Sequence, residues 1–515
     1  MSLARRTIAS TAWTSIGTWA SWLILLSRGV FLARWLPVET FGVYALVSSV
    51  IGLVTIVAEF GLAGAFVHRA PETEDEEQLA AVHFTLKLIS ATALVILLGL
   101  GAFLFSSGAL RTAFLVLTVT TGVSQLTQTP KRILVRRVVH RRLALLKLVD
   151  AVVSTLVGLW LAWQGATLWA LLSSNISTVA LAIFALYVWK PVWRPRLTWS
   201  PRVMHYFLSF GGRSVLSDVL YQALNRIDDL WVGFYLGDTP LGFYSKAYSF
   251  ATYPRLVLGG PVNTVAMGTY AELKTKRLQL SQAFFRLNAL LVRSGFFMGG
   301  GLVLIAPEVI RTLLGDRWMP MLDAFRLMLV FCLLDPITRT TGSLFIAVGR
   351  PQWLVKTRLA QLIVLVICLY VAGPLGGIIG ISLAMDGMVA FGIGLLLWQA
   401  RKYVDFSIRK LFLAPLIALG IALFLSHSAL LVPGVPGADW RTAAMKAGVF
   451  VSAYAGTLIL FERREVQEVI AYVRASFGLD EAWQLLHKPS CRLSCSRAGL
   501  RSGEETDAQE TGTQD

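Results

Sequence analysis

The sequence predicts an all-α polytopic membrane protein with about fourteen transmembrane helices. Hydrophobic residues make up 55% of the chain and charged residues only 15%, whereas soluble proteins carry about 25% charged residues. The mean hydropathy is +0.64. Apolar runs of about twenty residues recur along the chain, and each is long enough to cross about 30 Å of hydrocarbon as a helix. The basic residues collect in alternate connections between these runs, which is a signal of membrane topology.

The apolar runs define the predicted spans in chain order. They fall at 11–34, 41–66, 82–105, 112–130, 147–164, 167–189, 206–236, 242–266, 287–309, 322–347, 354–373, 378–399, 411–431 and 442–461. The connections 36–40 and 237–240 are so short that each joins two antiparallel helices as a hairpin.

The distribution of Lys and Arg predicts the orientation. Most of them lie on one side of the predicted membrane, in connections such as 131–147 and 190–202. Because cytoplasmic loops carry an excess of basic residues, that side is predicted to be cytoplasmic. We therefore expect a multi-pass protein of the inner (cytoplasmic) membrane with both termini in the cytoplasm. Residues 466–515 are polar and are predicted to form a cytoplasmic, largely disordered tail.

The composition also argues against several classes of partner. The net charge of +17 follows the membrane topology, so nucleic acid is not an expected partner. His487, Cys491 and Cys495 offer three zinc ligands without a fourth, so no metal site is predicted. The phosphate-binding loop of nucleotide-driven motors does not occur in the sequence. No cofactor is expected.

The chain shows a weak internal repeat at an offset of 200 residues. Residues 36–44 align with 236–244, and Gly42 and Tyr44 of the first copy match Gly242 and Tyr244 of the second. Six spans separate the copies, so both halves share one orientation, as in parallel repeats related by an axis along the membrane normal. The repeat predicts two six-helix lobes around a central cavity. The predicted domains are 1–200, 201–405, the last two spans at 406–465, and the tail at 466–515.

The chain resembles a known family over most of its length. Short motifs recur in the order and spacing of the Wzx-type polysaccharide flippases of the multidrug/oligosaccharidyl-lipid/polysaccharide exporter superfamily. They lie at 33–36, 41–44, 59–62, 227–233, 241–244, 247–248 and 347–351. The resemblance implies a substrate carried on polyprenyl pyrophosphate, alternating access between the two lobes, and no catalytic residues.

Charged residues at membrane depth are the candidate functional residues, because such residues are costly and usually face a cavity. At 1.5 Å per residue, Arg28 and Asp228 each lie about 12 Å below the predicted outer surface, and Arg255 lies about 20 Å below it. These three are favoured for function, and Arg28 and Asp228 are expected to pair across the empty cavity. Guanidinium groups suit pyrophosphate oxygens. The candidate substrate-binding residues are Arg28, Arg255, Arg226 and Arg339, and the candidate gating or ion-coupling residues are Asp228, Asp229 and Glu59.

Other polar and aromatic residues have a structural alternative. Long basic side chains near a membrane surface are expected to extend into water, and those assigned to this class are Arg34, Lys246, Arg326, Lys87, Arg213 and Arg293. Trp19, Trp22, Tyr221 and Trp231 could stack on sugars, although lipid-facing or interfacial packing is the commoner role.

These observations favour a flippase that moves a polyprenyl-pyrophosphate-linked oligosaccharide outward for surface polysaccharide biosynthesis. H⁺ or Na⁺ is a candidate coupling ion, and polysaccharide polymerase machinery is a candidate partner. A drug/cation antiporter of the same superfamily is the first alternative, but it would favour carboxylates over arginines near the midplane. A polytopic polysaccharide polymerase or ligase is the second, but it would need a large external loop, and the longest external connections predicted here have about ten residues.

Overall fold

The computed structural model describes residues 3–68, 76–137, 139–428 and 440–463. Within these ranges the chain is helical and forms no strand. Residues 1–457 form one compact unit, and a second unit begins at Leu458. The predicted tail at 466–515 lies outside the described residues.

The first half of the described chain forms eight α-helices and a π-helix. They are α1 (Leu3–Trp35), α2 (Val38–Glu59), α3 (Leu62–His68), α4 (Glu76–Phe105), α5 (Gly108–Leu126), α6 (Gln128–Arg136), α7 (His140–Trp163), α8 (Thr167–Ile183) and the π-helix Phe184–Trp189. The second half adds α9 (Pro201–Leu224), α10 (Ile227–Tyr235), α11 (Asp238–Leu273), α12 (Arg277–Leu313), the 3₁₀ helix Asp316–Met321, α13 (Leu322–Ala347), α14 (Gln352–Ala400), α15 (Ile408–Ser428) and α16 (Trp440–Phe461).

The predicted spans fall on these helices, except that residues 429–431 of the span at 411–431 lie outside the described residues. The two spans predicted at 354–373 and 378–399 both lie within the range given as α14, and the helix breaks between them at Gly377, whose φ of 54° and ψ of −135° are not helical. A positive φ is readily adopted only by glycine. The predicted turn between these two spans is therefore present as a kink.

Nine stretches of the described chain are long and apolar enough to cross a membrane by length and composition, and one of them is α14, which covers two predicted spans. The other predicted spans carry most of the candidate charged residues. These spans are α1, α9 with α10, α11 and α13. We call them the polar set of membrane-crossing helices, because of the charges they carry.

Two of the breaks within predicted spans lie beside candidate charged residues. The span at 41–66 breaks between α2 and α3, where Phe60 has a φ of 43° and Gly61 a φ of 63°. The span at 206–236 breaks between α9 and α10 at Asn225 and Arg226. The second interruption separates the last turn of α9 from the first turn of α10, and that first turn carries Asp228 and Asp229.

Helices α2 and α11 meet closely at their first turns. A Cβ atom built on Gly42 would overlap the main-chain carbonyl of Asp238, and a Cβ built on Gly242 would overlap the main-chain carbonyl of Val38. Glycine is required at both positions because each backbone lies directly against the other. The two contacts are related by an offset of 200 residues, as the predicted repeat requires. We call this part of the molecule the hairpin end, because the connections 36–40 and 237–240 lie there.

Candidate functional site

A cavity of about 500 Å³ lies inside the helix assembly and is called the central cavity below. Helices α1, α2 and α8 line one side, and α11 with the first turn of α10 lines the other. Its walls carry several hydroxyl groups, which come from Tyr44, Ser48, Ser174, Ser245, Tyr248, Ser249 and Tyr253. The cavity therefore offers hydrogen bonds within a mainly apolar helix bundle.

The central cavity has an excess of positive charge. Arg28, Arg226 and Lys246 line it, and the one carboxylate among its lining residues is that of Asp229. Arg28 is only 8% exposed, and its Nε atom makes no hydrogen bond with the described residues. A buried cation without a full set of acceptors favours the binding of an anion.

Lys246 was predicted to extend into water, and that prediction is wrong. The side chain is 9% exposed and lines the central cavity. Its Nζ atom lies 4.1 Å from the centroid of the Phe41 ring and 3.4 Å from the carbonyl oxygen of Gly29. Depth alone suggested that the side chain would reach water, but the Phe41 ring and the Gly29 carbonyl hold it inside, where an aromatic face attracts an ammonium group.

Arg226 and Asp229 form a polar contact across the cavity wall. Nη1 of Arg226 lies 3.7 Å from Oδ2 of Asp229 and 3.4 Å from Oγ of Ser49. The Ser49 hydroxyl donates a hydrogen bond of 2.8 Å to the same Asp229 oxygen. Since Ser49 belongs to α2, this contact ties the first turn of α10 to the first half of the chain.

Asp228 lies on the other side of α10 and does not pair with Arg28, so the expected pairing is wrong. Its Oδ2 atom accepts a hydrogen bond of 2.6 Å from the hydroxyl of Tyr244. Its Oδ1 atom is buried and has no hydrogen-bond partner among the described residues. Depth was predicted from residue number, but rotation about the helix was not: adjacent residues differ by about 100°. Asp229 therefore lines the cavity, while Asp228 packs against α11.

Glu59 lines a second compartment of about 360 Å³, which shares Tyr44, Ser48 and Arg226 with the central cavity. One carboxylate oxygen of Glu59 accepts a hydrogen bond of 3.3 Å from Nε2 of Gln125. The other end of the same amide, Oε1, accepts a hydrogen bond of 2.9 Å from Nζ of Lys87. Glu59 is thereby connected to a lysine through a single amide group.

Lys87 was also predicted to extend into water, and its side chain is instead fully buried. The neutral amide of Gln125 is the hydrogen-bond acceptor that holds its ammonium group. The error has the same origin as for Lys246, because proximity to a membrane surface does not specify which neighbours surround a side chain.

Arg255 and Arg339 do not line the central cavity. Both contact one carboxylate, that of Asp335 on α13, at 3.3 Å from Arg255 and 2.9 Å from Arg339. Arg339 also donates a hydrogen bond to the hydroxyl of Tyr221. The four arginines proposed from the sequence thus separate into two groups, with Arg28 and Arg226 at the central cavity and Arg255 and Arg339 beside Asp335.

The aromatic lining differs from the sequence prediction. Trp19, Trp22 and Trp231 are absent from the residues that line the central cavity, and the aromatic residues present there are Phe41, Tyr44, Tyr248 and Tyr253. Trp231 is buried and stacks on Tyr235 with ring centroids 4.8 Å apart. The sequence analysis missed these residues, although Tyr44 with Ser48, and Ser245 with Ser249, lie four positions apart and therefore on one face of a helix.

Comparisons with known proteins agree with this architecture. The teichuronic acid biosynthesis protein TuaB of Bacillus subtilis (strain 168) is 23% identical over 83% of this chain and 91% of its own length. The lipopolysaccharide biosynthesis protein WzxC of Escherichia coli (strain K12) is 21% identical over 74% of this chain and 78% of its own length. The solved structure of the lipid II flippase MurJ in an inward closed conformation superposes with a TM-score of 0.74 at 16% identity, covering 88% of this chain and 99% of that one.

The comparisons confirm two predictions made from the sequence. The likeness to MurJ shows the same multi-helix membrane fold, and the similarity to WzxC confirms the resemblance to Wzx-type proteins. The family described as "Polysaccharide biosynthesis protein" matches residues 31–323, which is more than half of the chain. The chain therefore belongs to this family of membrane polysaccharide biosynthesis proteins.

Proposed function

We propose that the protein is a flippase that moves a polyprenyl-pyrophosphate-linked oligosaccharide from the cytoplasmic to the outer leaflet of the inner membrane. The observation that carries the proposal is the excess positive charge of the central cavity, where Arg28, Arg226 and Lys246 meet one carboxylate, Asp229. The family membership and a fold shared with a protein described as a lipid II flippase support it. Its product would serve surface polysaccharide biosynthesis, with a polysaccharide polymerase as the next partner.

The central cavity provides the groups that a pyrophosphate needs. The guanidinium groups of Arg28 and Arg226 can each hold two phosphate oxygens in a fork, and Lys246 adds a point charge. Charge-assisted hydrogen bonds of this kind are strengthened in a bilayer, where the local dielectric constant is low. The adjoining compartment carries neutral polar residues suited to sugar hydroxyls, namely Ser48, Thr55, Thr121, Asn175 and Gln222.

The residues of the cavity would bind and release the substrate without changing a bond in it, so the protein is a transporter and not an enzyme. A drug/cation antiporter is less favoured, because a cationic drug entering the central cavity would meet three positive groups and one negative group. Movement would follow alternating access, with the hairpin end closed while the opposite end admits the substrate.

Two driving forces are open to such a carrier. An inside-negative potential favours outward movement of an anion by about 2.3 kcal/mol per charge per 100 mV. Coupling to H⁺ or Na⁺ would use the buried carboxylates of Asp228 and Asp229 at the break between α9 and α10, with Glu59 at the second compartment. The unpartnered Oδ1 of Asp228 makes this residue the first candidate ion ligand.

The test is transport by the purified full-length protein in liposomes that contain a fluorescent polyprenyl-pyrophosphate-linked disaccharide. The fraction reaching the opposite leaflet is followed with an impermeant quencher. Arg28→Gln and Lys246→Gln should each slow transport about tenfold or more, because each removes a charged hydrogen-bond donor. Arg311→Gln is the control, since it removes one arginine charge at a half-exposed position outside the cavity. Transport no faster than in protein-free liposomes would refute the proposal.

A further inference from the structure

A separate cavity of about 170 Å³ lies among α9, α13 and α14 and is called the arginine cavity here. Asn225, Arg339 and Arg358 are among its lining residues. It adjoins the central cavity, because Tyr248 lines the central cavity and its hydroxyl donates a hydrogen bond of 3.4 Å to Oδ1 of Asn225. At roughly 15 Å³ for each water-sized site, the space holds about ten such sites, which is comparable with the non-hydrogen atoms of one sugar unit.

Two guanidinium groups are held in fixed positions around the ring of Tyr221. Cζ of Arg339 lies 5.4 Å from the ring centroid and Cζ of Arg358 lies 5.0 Å from it. Nη1 of Arg358 donates to the carbonyl oxygen of Ser217 at 2.8 Å and to its hydroxyl at 2.6 Å. Arg339 is fixed by Asp335 and by the Tyr221 hydroxyl. Both arginines are therefore organised before any ligand arrives, which lowers the entropy cost of binding.

The charges around the arginine cavity do not balance. The side chains of Arg339 and Arg358 line the cavity, and Asp335 is the one carboxylate among its lining residues. That carboxylate is also shared with Arg255. All the hydrogen-bond partners of Arg358 within the described residues are neutral, and its Nε and Nη2 atoms make no hydrogen bond with those residues.

A second observation points to a missing hydrogen-bonding ligand. Thr338 is a lining residue of the arginine cavity, and its hydroxyl is buried and has no hydrogen-bond partner among the described residues. Buried polar groups are normally hydrogen-bonded, and an exception requires an explanation. An anion that also carries hydroxyl groups would neutralise the excess charge and satisfy this hydroxyl.

We infer that the arginine cavity binds a carboxylate-bearing sugar of the lipid-linked oligosaccharide, so that the protein prefers acidic glycans. This inference rests on the proposed function, in which the pyrophosphate occupies the central cavity. A carboxylate matches the planar fork of Arg358. The side-chain amides of Asn225 and Gln361 lie in the same wall and offer hydrogen bonds to sugar hydroxyls.

The experiment compares two synthetic probes in binding titrations with the full-length protein in lipid nanodiscs. Both are polyprenyl-pyrophosphate-linked disaccharides, and they differ only in a terminal glucuronic acid or a terminal glucose. The wild type should bind the glucuronic acid probe more tightly. Arg358→Gln should lower the affinity for the glucuronic acid probe about tenfold or more. It should change the affinity for the glucose probe by no more than about twofold. Arg358→Lys should recover part of the loss, because a lysine restores the charge but not the fork.

The controls separate this inference from the proposed function. Lys356→Gln removes a charge from the same helix at an exposed position and should affect neither probe. Arg28→Gln should lower the affinity for both probes by the same factor, because Arg28 would contact the pyrophosphate that the two probes share. Equal affinity of the wild type for the two probes, or an equal loss of both in Arg358→Gln, would overturn the acidic-sugar site alone. An absence of binding to either probe by the wild type would overturn the proposed function. If Arg358→Gln does not fold, the ratio of the two affinities in Arg358→Lys decides.

Discussion

The hydroxyl of Thr239 donates a hydrogen bond of 3.1 Å to Oε1 of Glu39, and the two residues are 200 positions apart in the chain. They occupy equivalent positions in the predicted repeat. Equivalent residues of two related halves touch each other only near the axis that relates them. The axis along the membrane normal, which the repeat predicts, would therefore pass through the hairpin end, beside the paired contacts of Gly42 and Gly242.

The first prediction concerns closure of the hairpin end. Gly42→Val should prevent the close approach of α2 to α11, because its side chain would overlap the carbonyl of Asp238. We expect transport to fall at least about tenfold, since the overlap exceeds what a packed interface tolerates. A cysteine placed at Ser48 in the central cavity should become more reactive to an impermeant reagent from the hairpin side. Gly99→Ala is the control, because nothing lies within 4 Å of a Cβ at that position. Unchanged transport in Gly42→Val would show that this contact is dispensable.

The second prediction concerns the pair Arg28 and Asp228. Exchanging the two charges, with Arg28→Asp and Asp228→Arg together, should not restore the transport that either single change abolishes. The reason is that Asp228 contacts Tyr244 rather than Arg28, so the exchange would bury an arginine against that tyrosine. The exchange of Arg226 and Asp229 is the comparison, since these two lie 3.7 Å apart, and it should recover a folded protein. Recovery of transport in the first exchange would establish the pairing that the structure lacks.

The third prediction concerns the buried ion pair between Glu308 of α12 and Lys446 of α16. Either Glu308→Gln or Lys446→Met should lower the free energy of unfolding by about 3–5 kcal/mol, because each leaves one buried charge unpaired. The double variant should be more stable than either single variant. The midpoint of thermal unfolding in detergent measures the effect. The half-exposed pair of Arg326 and Asp323 is the control and should contribute about 1 kcal/mol or less. Additive losses in the double variant would contradict the pairing.

The fourth prediction concerns pH at the hairpin end, outside the predicted spans. Partial burial, with a smaller contribution from the Glu39 carboxylate, raises the pKa of Asp238 above its usual value. A raised pKa means that the folded protein binds this proton more tightly than the unfolded chain, so the contribution to stability is present at low pH. It is lost as the pH rises through the usual aspartate range, near 4, to the raised value. Asp238→Asn should flatten this part of the curve of unfolding midpoint against pH. If the curve of Asp238→Asn matches that of the wild type, other groups cause the pH dependence.

The fifth prediction concerns orientation. In a background without the natural cysteines, a cysteine at the exposed position of Asp238 should react with an impermeant reagent added outside cells. A cysteine at Arg137, in the basic connection after α6, should react only after the membrane is permeabilised. The reverse pattern would invert the topology, because the distribution of basic residues is its only basis.

Counting residues from the hairpins at 1.5 Å per residue gives a side chain's depth but not its direction. Arg28 and Asp229 line the central cavity, and Asp228 does not. Whether Asp228 or Asp229 faces the cavity depends on the orientation of α10 about its own axis. The break at Asn225 and Arg226 makes this orientation independent of α9. A sequence pattern that treats 206–236 as one helix cannot contain this information.

The two lysines show a second limit of the sequence. Lys246 and Lys87 are near the ends of predicted spans, so the expectation of contact with water was reasonable for an isolated helix. The ring of Phe41 and the amide of Gln125 determine where these side chains point. Those partners lie on other helices, about 205 and 38 residues away in the chain, so only the assembled fold identifies them.

The polar set of membrane-crossing helices has a consequence for how the chain enters the bilayer during synthesis. A charged residue at the centre of a helix costs about 2.5–3.5 kcal/mol in insertion by the translocon. Helices α1, α9, α11 and α13 carry such charges. Some of these charges find their partner only on a helix that is made later: Arg255 of α11 pairs with Asp335 of α13. We therefore expect α11 to stay beside the translocon until α13 arrives, so that the ion pair also sets an order of assembly.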